Sequence, residues 1–147
     1  QNFLPSSAAT PVKDGKIRLP AGAGRVGFVD ARDVAAVAVA ALTTPGHEGR
    51  TYTLTGSSLH SHGELAEALG AAAGRSITYE ELSPDAYADL CRAAGWPAAS
   101  IESMNALFAD MRGGGAAFVT DDVVHATGRP ARSIQDFARD HAAAFAA

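Results

Sequence analysis

Gly22-Ala-Gly24-Arg-Val-Gly27 matches the pattern G-x-G-x-x-G, whose chemistry is to hold a dinucleotide pyrophosphate on backbone N–H groups. That chemistry needs the pattern to follow a strand and open a helix. Here the third glycine leads into Phe28-Val29, an apolar run that reads as a strand, and a helix begins only after Asp30. A flexible turn fits this context better. His47, His60 and His62 carry ring nitrogens that a metal could use, but no Cys or carboxylate stands at ligand spacing, so they read as loop residues. Asp30, Arg32 and Asp33 have the types for acid/base work; helix capping accounts for both aspartates, and Arg32 can pair with either. Cys91 falls inside a helical pattern with no partner His, the place of a small core residue rather than a nucleophile. His125 and His141 also fall on helical patterns, as surface or half-buried residues rather than a general base. Trp96, Met104, Phe108 and Met111 sit at helical spacing and stay open to two readings, core or the lining of a ligand pocket.

The elements that would position these groups follow from periodicity and caps. Arg25–Leu42 is the centre of the pattern: a short strand over Val26–Val29, then a helix with apolar residues at Val34, Val37, Ala38, Ala41 and Leu42. Asp30 is its N-cap, Asp33 sits at N3 where the helix dipole favours negative charge, and Val29 is placed to staple onto Val34. Burial of Val34, Val37 and Leu42 would contribute roughly 5–8 kcal/mol, at about 1.5–3 kcal/mol per side chain. Before it, Lys16–Leu19 reads as a strand closed by Pro20; after it, Arg50–Thr55 alternates as a strand does. Ser61 and Glu64 form a capping box for a second helix that Gly74 ends. Ile77–Glu81 is a further strand. Ser83-Pro84 opens a third helix, stopped at Gly95, and Trp96-Pro97 leads into a fourth that closes at Gly113-Gly114-Gly115. A short helix over Thr120–Thr127 and a last one capped by Ser133 complete the chain. The expectation is an α/β chain of few short strands and about six helices, too few strands for a complete doubly wound sheet.

Composition bounds the function classes. At 147 residues the chain is one domain or part of one. A net charge of −4 with Lys13 and Lys16 as its lysines argues against nucleic-acid binding, and Ala35–Leu42, the longest apolar run, is far short of a membrane span. No signal-peptide pattern opens the chain and the single Cys91 cannot staple it, so a cytoplasmic, reducing setting is expected. The abundance of Ala, and of Arg over Lys, hints at a bacterial, GC-rich source. Gln1–Leu4 reads as the tail of an element already under way, as in a processed or cropped product.

Five motifs in order carry a resemblance. Phe28–Ala35 (FVDARDVA), Pro45–Gly56 (PGHEGRTYTLTG), Gly63–Ala66 (GELA), Val119–Val123 (VTDDV) and Thr127–Phe137 (TGRPARSIQDF) are similar to the C-terminal half of NmrA-like proteins. These are atypical short-chain dehydrogenases/reductases with an NAD(P)-binding Rossmann domain and a smaller C-terminal substrate region. The resemblance implies one domain over 1–147, with the last Rossmann strands and helix at about 16–56 and a helical substrate region at about 57–147. The family's glycine-rich phosphate loop and the N-terminal dinucleotide-binding part have no counterpart here. By resemblance, Asn2 and Phe3 lie near the nicotinamide end of the cleft, and the helices carrying Trp96, Met104 and Phe108 roof the substrate pocket. The Tyr-x-x-x-Lys pair of the wider superfamily is absent, since Gly56, Ser83 and Cys91 stand four residues after Tyr52, Tyr79 and Tyr87. No catalytic residue or metal ligand is assigned.

Family members range from NAD(P)H-dependent quinone or dye reductases to redox sensors, so fold alone leaves catalysis open. Three functions follow. The chain is the substrate-binding half of an NAD(P)H-dependent oxidoreductase with a quinone-like or other small organic acceptor; or a non-catalytic sensor; or a truncated, cofactor-free binding module. NADP or NAD would serve the complete protein, and none is expected on this chain alone. Bare apolar helix faces and strand edges predict pairing with the missing N-terminal half, or self-association.

Overall fold

The computed structural model describes residues 14–146. Around helix α2 (His62–Ala73) pack a strand pair, β1 (Lys16–Leu19) with β4 (Thr78–Glu81), and two C-terminal helices, α6 (Ile134–Asp140) and α7 (Ala142–Phe145). β1 and β4 run parallel, Ile17 opposite Tyr79. A second pair, β2 (Arg25–Val26) and β3 (His60–Ser61), is antiparallel. Helices α3 (Pro84–Ala93) and α4 (Ala98–Arg112) form a hairpin, and α1 (Ala31–Thr43) packs on α5 (Asp122–Thr127). Among the described residues no helix is long and apolar enough to cross a membrane.

The caps form where their residue types require. The Asp30 carboxylate accepts the Arg32 N–H, and Ser61 and Glu64 close the capping box reciprocally. Gly74 takes the left-handed conformation at φ 67°, where a Cβ would be strained. Ser83 caps α3 with Pro84 behind it, and Ser133 caps α6 in a second box with Asp136. The core gathers Leu65 and Leu69 of α2 with Ile17, Ile77, Tyr87, Cys91, Ile101, Phe108, Ile134, Phe137 and Phe145. Leu65 and Leu69 together contribute roughly 3–6 kcal/mol of burial.

Three expectations are corrected. The strand Val26–Val29 shortens to Arg25–Val26, because the Gly27 carbonyl accepts the Gly56 N–H outside any ladder. Among the described residues Arg50–Thr55 joins no ladder; at Thr53 the backbone is held by side chains, its N–H donating to Asp122 and its carbonyl accepting from the Thr120 hydroxyl. The expected last helix divides, so the described residues hold seven helices where about six were expected. His141 leaves helical geometry (φ −113°, ψ 13°), and a new turn starts where the Ala144 N–H meets the His141 carbonyl. Finally, Val37 alone of the α1 trio is buried, at 5% exposure, while Val34 is 42% and Leu42 86% exposed. Among the described residues α1 packs on α5 and none covers Val34 or Leu42, so the expected burial energy is not realised there.

Candidate functional site

The glycine turn is not a phosphate cradle. A Cβ on Gly24 would sit 2.6 Å from the Met111 carbonyl oxygen, and one on Gly27 3.0 Å from the Phe118 carbonyl oxygen. The glycines are therefore required by close packing on the end of α4 and on the segment before α5, and a polar wall of carbonyl oxygens repels a phosphate. Rather than flexing freely, the turn is pinned. After it comes extended chain, not the N-terminus of a helix, so this turn does not fit the pyrophosphate of a dinucleotide. Asn2 and Phe3, the residues placed by resemblance near the nicotinamide, lie outside the described residues.

The charged cluster at the start of α1 is a buttress. Arg32 clamps Asp30 through two bonds, Nε to Oδ1 at 3.0 Å and Nη2 to Oδ2 at 2.6 Å, and reaches Asp140 of α6 at 2.7 Å. The guanidinium beside Asp30 holds its carboxyl below the usual carboxylate range. Asp33 pairs not with Arg32 but with Arg132, through that residue's side chain and through its N–H at 2.7 Å. These buried carboxylates have their charges answered and are engaged in structure, tying α1 to the start of α6.

Ser58, His60 and Glu64 approach the arrangement of a nucleophile, a base and its orienting acid, which sequence reasoning did not single out. Ser58 Oγ lies 2.7 Å from His60 Nε2, but His60 Nδ1 is 3.8 Å from Glu64, beyond a hydrogen bond. Glu64 is already committed to the Ser61 N–H at 2.7 Å and to Arg25. The group is a surface turn closed by a capping box. His62 heads α2 instead of lying in a loop; it is buried between Phe28 and Tyr79, with ring centroids at 5.2 and 5.9 Å. Burial lowers its pKa to about 4, so it is neutral at pH 7. His47 is held by Thr44 and Tyr52, and His125 is exposed on α5. Among the described residues no three His, Cys, Asp or Glu side chains are grouped to hold a metal.

Trp96, Met104 and Phe108 all belong to the α3–α4 hairpin. Phe108 is buried edge-on against Tyr87 at 5.3 Å, while Trp96 and Met104 are half-buried against the same core. Burial pushes the Tyr87 hydroxyl up from its usual pKa, and Cys91 beside it is fully buried. A shallow groove between α3 and α4 is lined by Asp85, Ala88, Arg92, Ile101, Glu102 and Asn105 rather than by Trp96, Met104 and Phe108. Another, between α1 and α5, runs over Ala35, Ala36, Val39, Ala40 and Ala126.

Known proteins give the frame for this geometry. The chain is 44% identical over all 147 residues to an NAD(P)H azoreductase of Xenophilus azovorans, of which it spans 51%. Over 132 residues, 90% of the chain, it is 42% identical to a (4-alkanoyl-5-oxo-2,5-dihydrofuran-3-yl)methyl phosphate reductase of Streptomyces griseus, spanning 46% of that protein. An NADPH-dependent quinone oxidoreductase from Escherichia coli shares the fold, with a TM-score of 0.79 at 24% identity, over 95% of this chain and 50% of its own. A Citrobacter triphenylmethane reductase complexed with NADP(H) has a TM-score of 0.73 at 26% identity, over 89% of this chain and 45% of its own. No family model matches. The chain spans about half the length of the curated relatives it matches. With the motif order and the fold in agreement, the chain belongs to the NmrA-like atypical short-chain dehydrogenases/reductases, and corresponds to the C-terminal half of such proteins.

Proposed function

We propose that this chain is the acceptor-side half of an NAD(P)H-dependent oxidoreductase that reduces quinone-like, azo or related small organic acceptors. The observation that carries the reading is the 44% identity, over all 147 residues of the chain, to an NAD(P)H azoreductase. The nucleotide supplies the hydride, and the protein's part is to position the acceptor and exclude water. In this reading residues at about 16–56 complete the dinucleotide-binding layer, and those at about 57–147 form the acceptor side. Trp96 and Met104, half-buried on the α3–α4 hairpin, line the acceptor pocket; Phe108 anchors α4 against Tyr87 behind them. Asn2 and Phe3 belong at the nicotinamide end.

The test is turnover by the whole protein that carries this chain. Oxidation of NADPH or NADH, followed by loss of nicotinamide absorbance, should depend on an added quinone or azo dye. Trp96→Ala should raise KM for the acceptor more than it lowers kcat. Tight cofactor binding with no oxidation in the presence of any such acceptor would overturn the reading in favour of a sensor.

A further inference from the structure

One stripe of α4 carries no charge. At about 100° per residue, Ser100, Met104, Leu107 and Met111 fall within roughly 60° of one another round the helix. The buried side of α4, at Ile101 and Phe108, lies next to this stripe, and the side toward α3 carries Ala98, Glu102 and Asn105. Asn105 is committed there, its Nδ2 donating to the Pro84 carbonyl at 3.2 Å. Met104 and Met111 are half-buried against the same core as Trp96, whereas Leu107 is 44% exposed. The charged residues of α4 all stand off the stripe, and one of them, Arg112, is spent on the Pro20 carbonyl. The Ser103 hydroxyl turns back to the Ala99 carbonyl at 2.9 Å, but among the described residues the Ser100 hydroxyl has no partner. It is the single side-chain donor on a face that otherwise offers two thioethers and a leucine. Small-molecule sites are built in this way, from an apolar wall and a few placed polar groups, and methionine adapts its shape to varied ligands.

We propose that this stripe is the acceptor-contacting face of α4, with the Ser100 hydroxyl donating to a carbonyl oxygen or azo nitrogen of the acceptor and Leu107 lying against its ring. Two features choose a small neutral ring compound as the occupant. The stripe holds no charge to answer an ionised group, and covering such a group unpaired is costly. From Ser100 to Leu107 the helix rises about 10 Å, at 1.5 Å per residue, so a compound of one or two fused rings reaches from the hydroxyl to the leucine. The face is also continuous with Trp96 and Met104, half-buried on the same hairpin. The inference rests on the acceptor-side reading given above and adds to it two contact residues and the charge class of the acceptor.

Calorimetry on the whole protein that carries this chain tests it, with a neutral naphthoquinone as the probe and no nicotinamide nucleotide present. Leu107→Asp should weaken naphthoquinone binding at least about tenfold, because the ring would then cover a carboxylate, while the thermal midpoint stays where it was. Ser100→Ala should weaken the quinone about 3- to 10-fold, the worth of one hydrogen bond, and leave the binding of naphthalene, which has no carbonyl, unchanged. Ser100→Thr should restore the quinone's affinity. Failure of the native protein to bind the naphthoquinone would overturn the proposal, as would unchanged affinity in both variants. So would a Leu107→Asp protein that melts early, since that side chain would then be packing within the fold. A protein in which both variants weaken the quinone, yet which oxidises no NADPH or NADH with it, would sink the reductase reading alone. Turnover that is the same in the native protein and both variants would sink the proposal alone.

Discussion

Asp33, in the first turn of α1, is bound on both carboxylate oxygens by Arg132, a residue 99 positions later that stands one place before the cap of α6. The carboxylate is buried and the guanidinium is mostly so, which makes the pair a latch between two ends of the chain. Removing one partner leaves the other's charge unanswered, and for a buried pair that cost is large. Asp33→Ala should therefore lower unfolding free energy by about 2–4 kcal/mol, the partly exposed Arg132 keeping it below the upper end. Urea unfolding measures this directly. A loss under about 0.5 kcal/mol would show the latch to be ornamental.

His62 makes stability depend on pH. Its pKa in the folded chain is about 4, against an ordinary value of 6.5, because burial disfavours the charged ring. Between those values the unfolded chain binds a proton that the folded chain refuses. The stabilisation is complete above pH 6.5 and is lost progressively as pH falls toward 4, amounting to on the order of 3 kcal/mol. Thermal midpoints from pH 7 to pH 4 should fall steeply in the native chain. In a His62→Phe variant, if it folds, the slope attributable to this ring should vanish. Equal slopes in the two proteins would rule out the assignment.

Two glycines should respond oppositely to alanine. A Cβ on Gly56 would be driven into the Phe28 carbonyl oxygen, a backbone atom that cannot step aside. Gly56→Ala should cost about 2 kcal/mol or more, the range for overpacking. Gly63 lies in the first turn of α2, and the nearest atom to its would-be Cβ is Ser61 Oγ at 3.6 Å, an ordinary contact. Gly63→Ala should be neutral or stabilising by up to about 1 kcal/mol, since alanine costs less chain entropy in a helix. Paired denaturation curves decide, and the same sign for both variants would refute the close approach at Gly56.

What could be read from the sequence was local. Asp30, Ser61 with Glu64, Ser83-Pro84 and Ser133 declare helix starts within four residues of themselves, and Gly74 and Gly128 declare ends, so these features are legible without tertiary structure. The parallel pairing of Lys16–Leu19 with Thr78–Glu81 was not, because nothing local selects a partner 62 positions away. Nor was Asp33–Arg132, which looked like ordinary use of the helix dipole. The exposure of Val34 and Leu42 reverses an inference that was sound for a helix with a layer on each side; among the described residues α5 is one layer and none covers these two side chains. At the candidate site, helical spacing placed Phe108 on an apolar face but could not say whether that face was core or pocket. Its edge-on packing against Tyr87 came only with the fold. The context of the glycine pattern at 22–27, strand rather than helix after the third glycine, could be read locally, while the reason for its glycines, carbonyls pressed against their Cα atoms, lies in α4 and in the segment before α5.

The most direct measurement is a titration of NADPH into the 147-residue chain, followed by nicotinamide fluorescence. If the cofactor's phosphates are gripped by the other half of the protein, no saturable change should appear up to about 1 mM, the regime of negligible affinity. Stoichiometric binding in the micromolar range would contradict that division of labour, and would make this half a cofactor-binding protein in its own right.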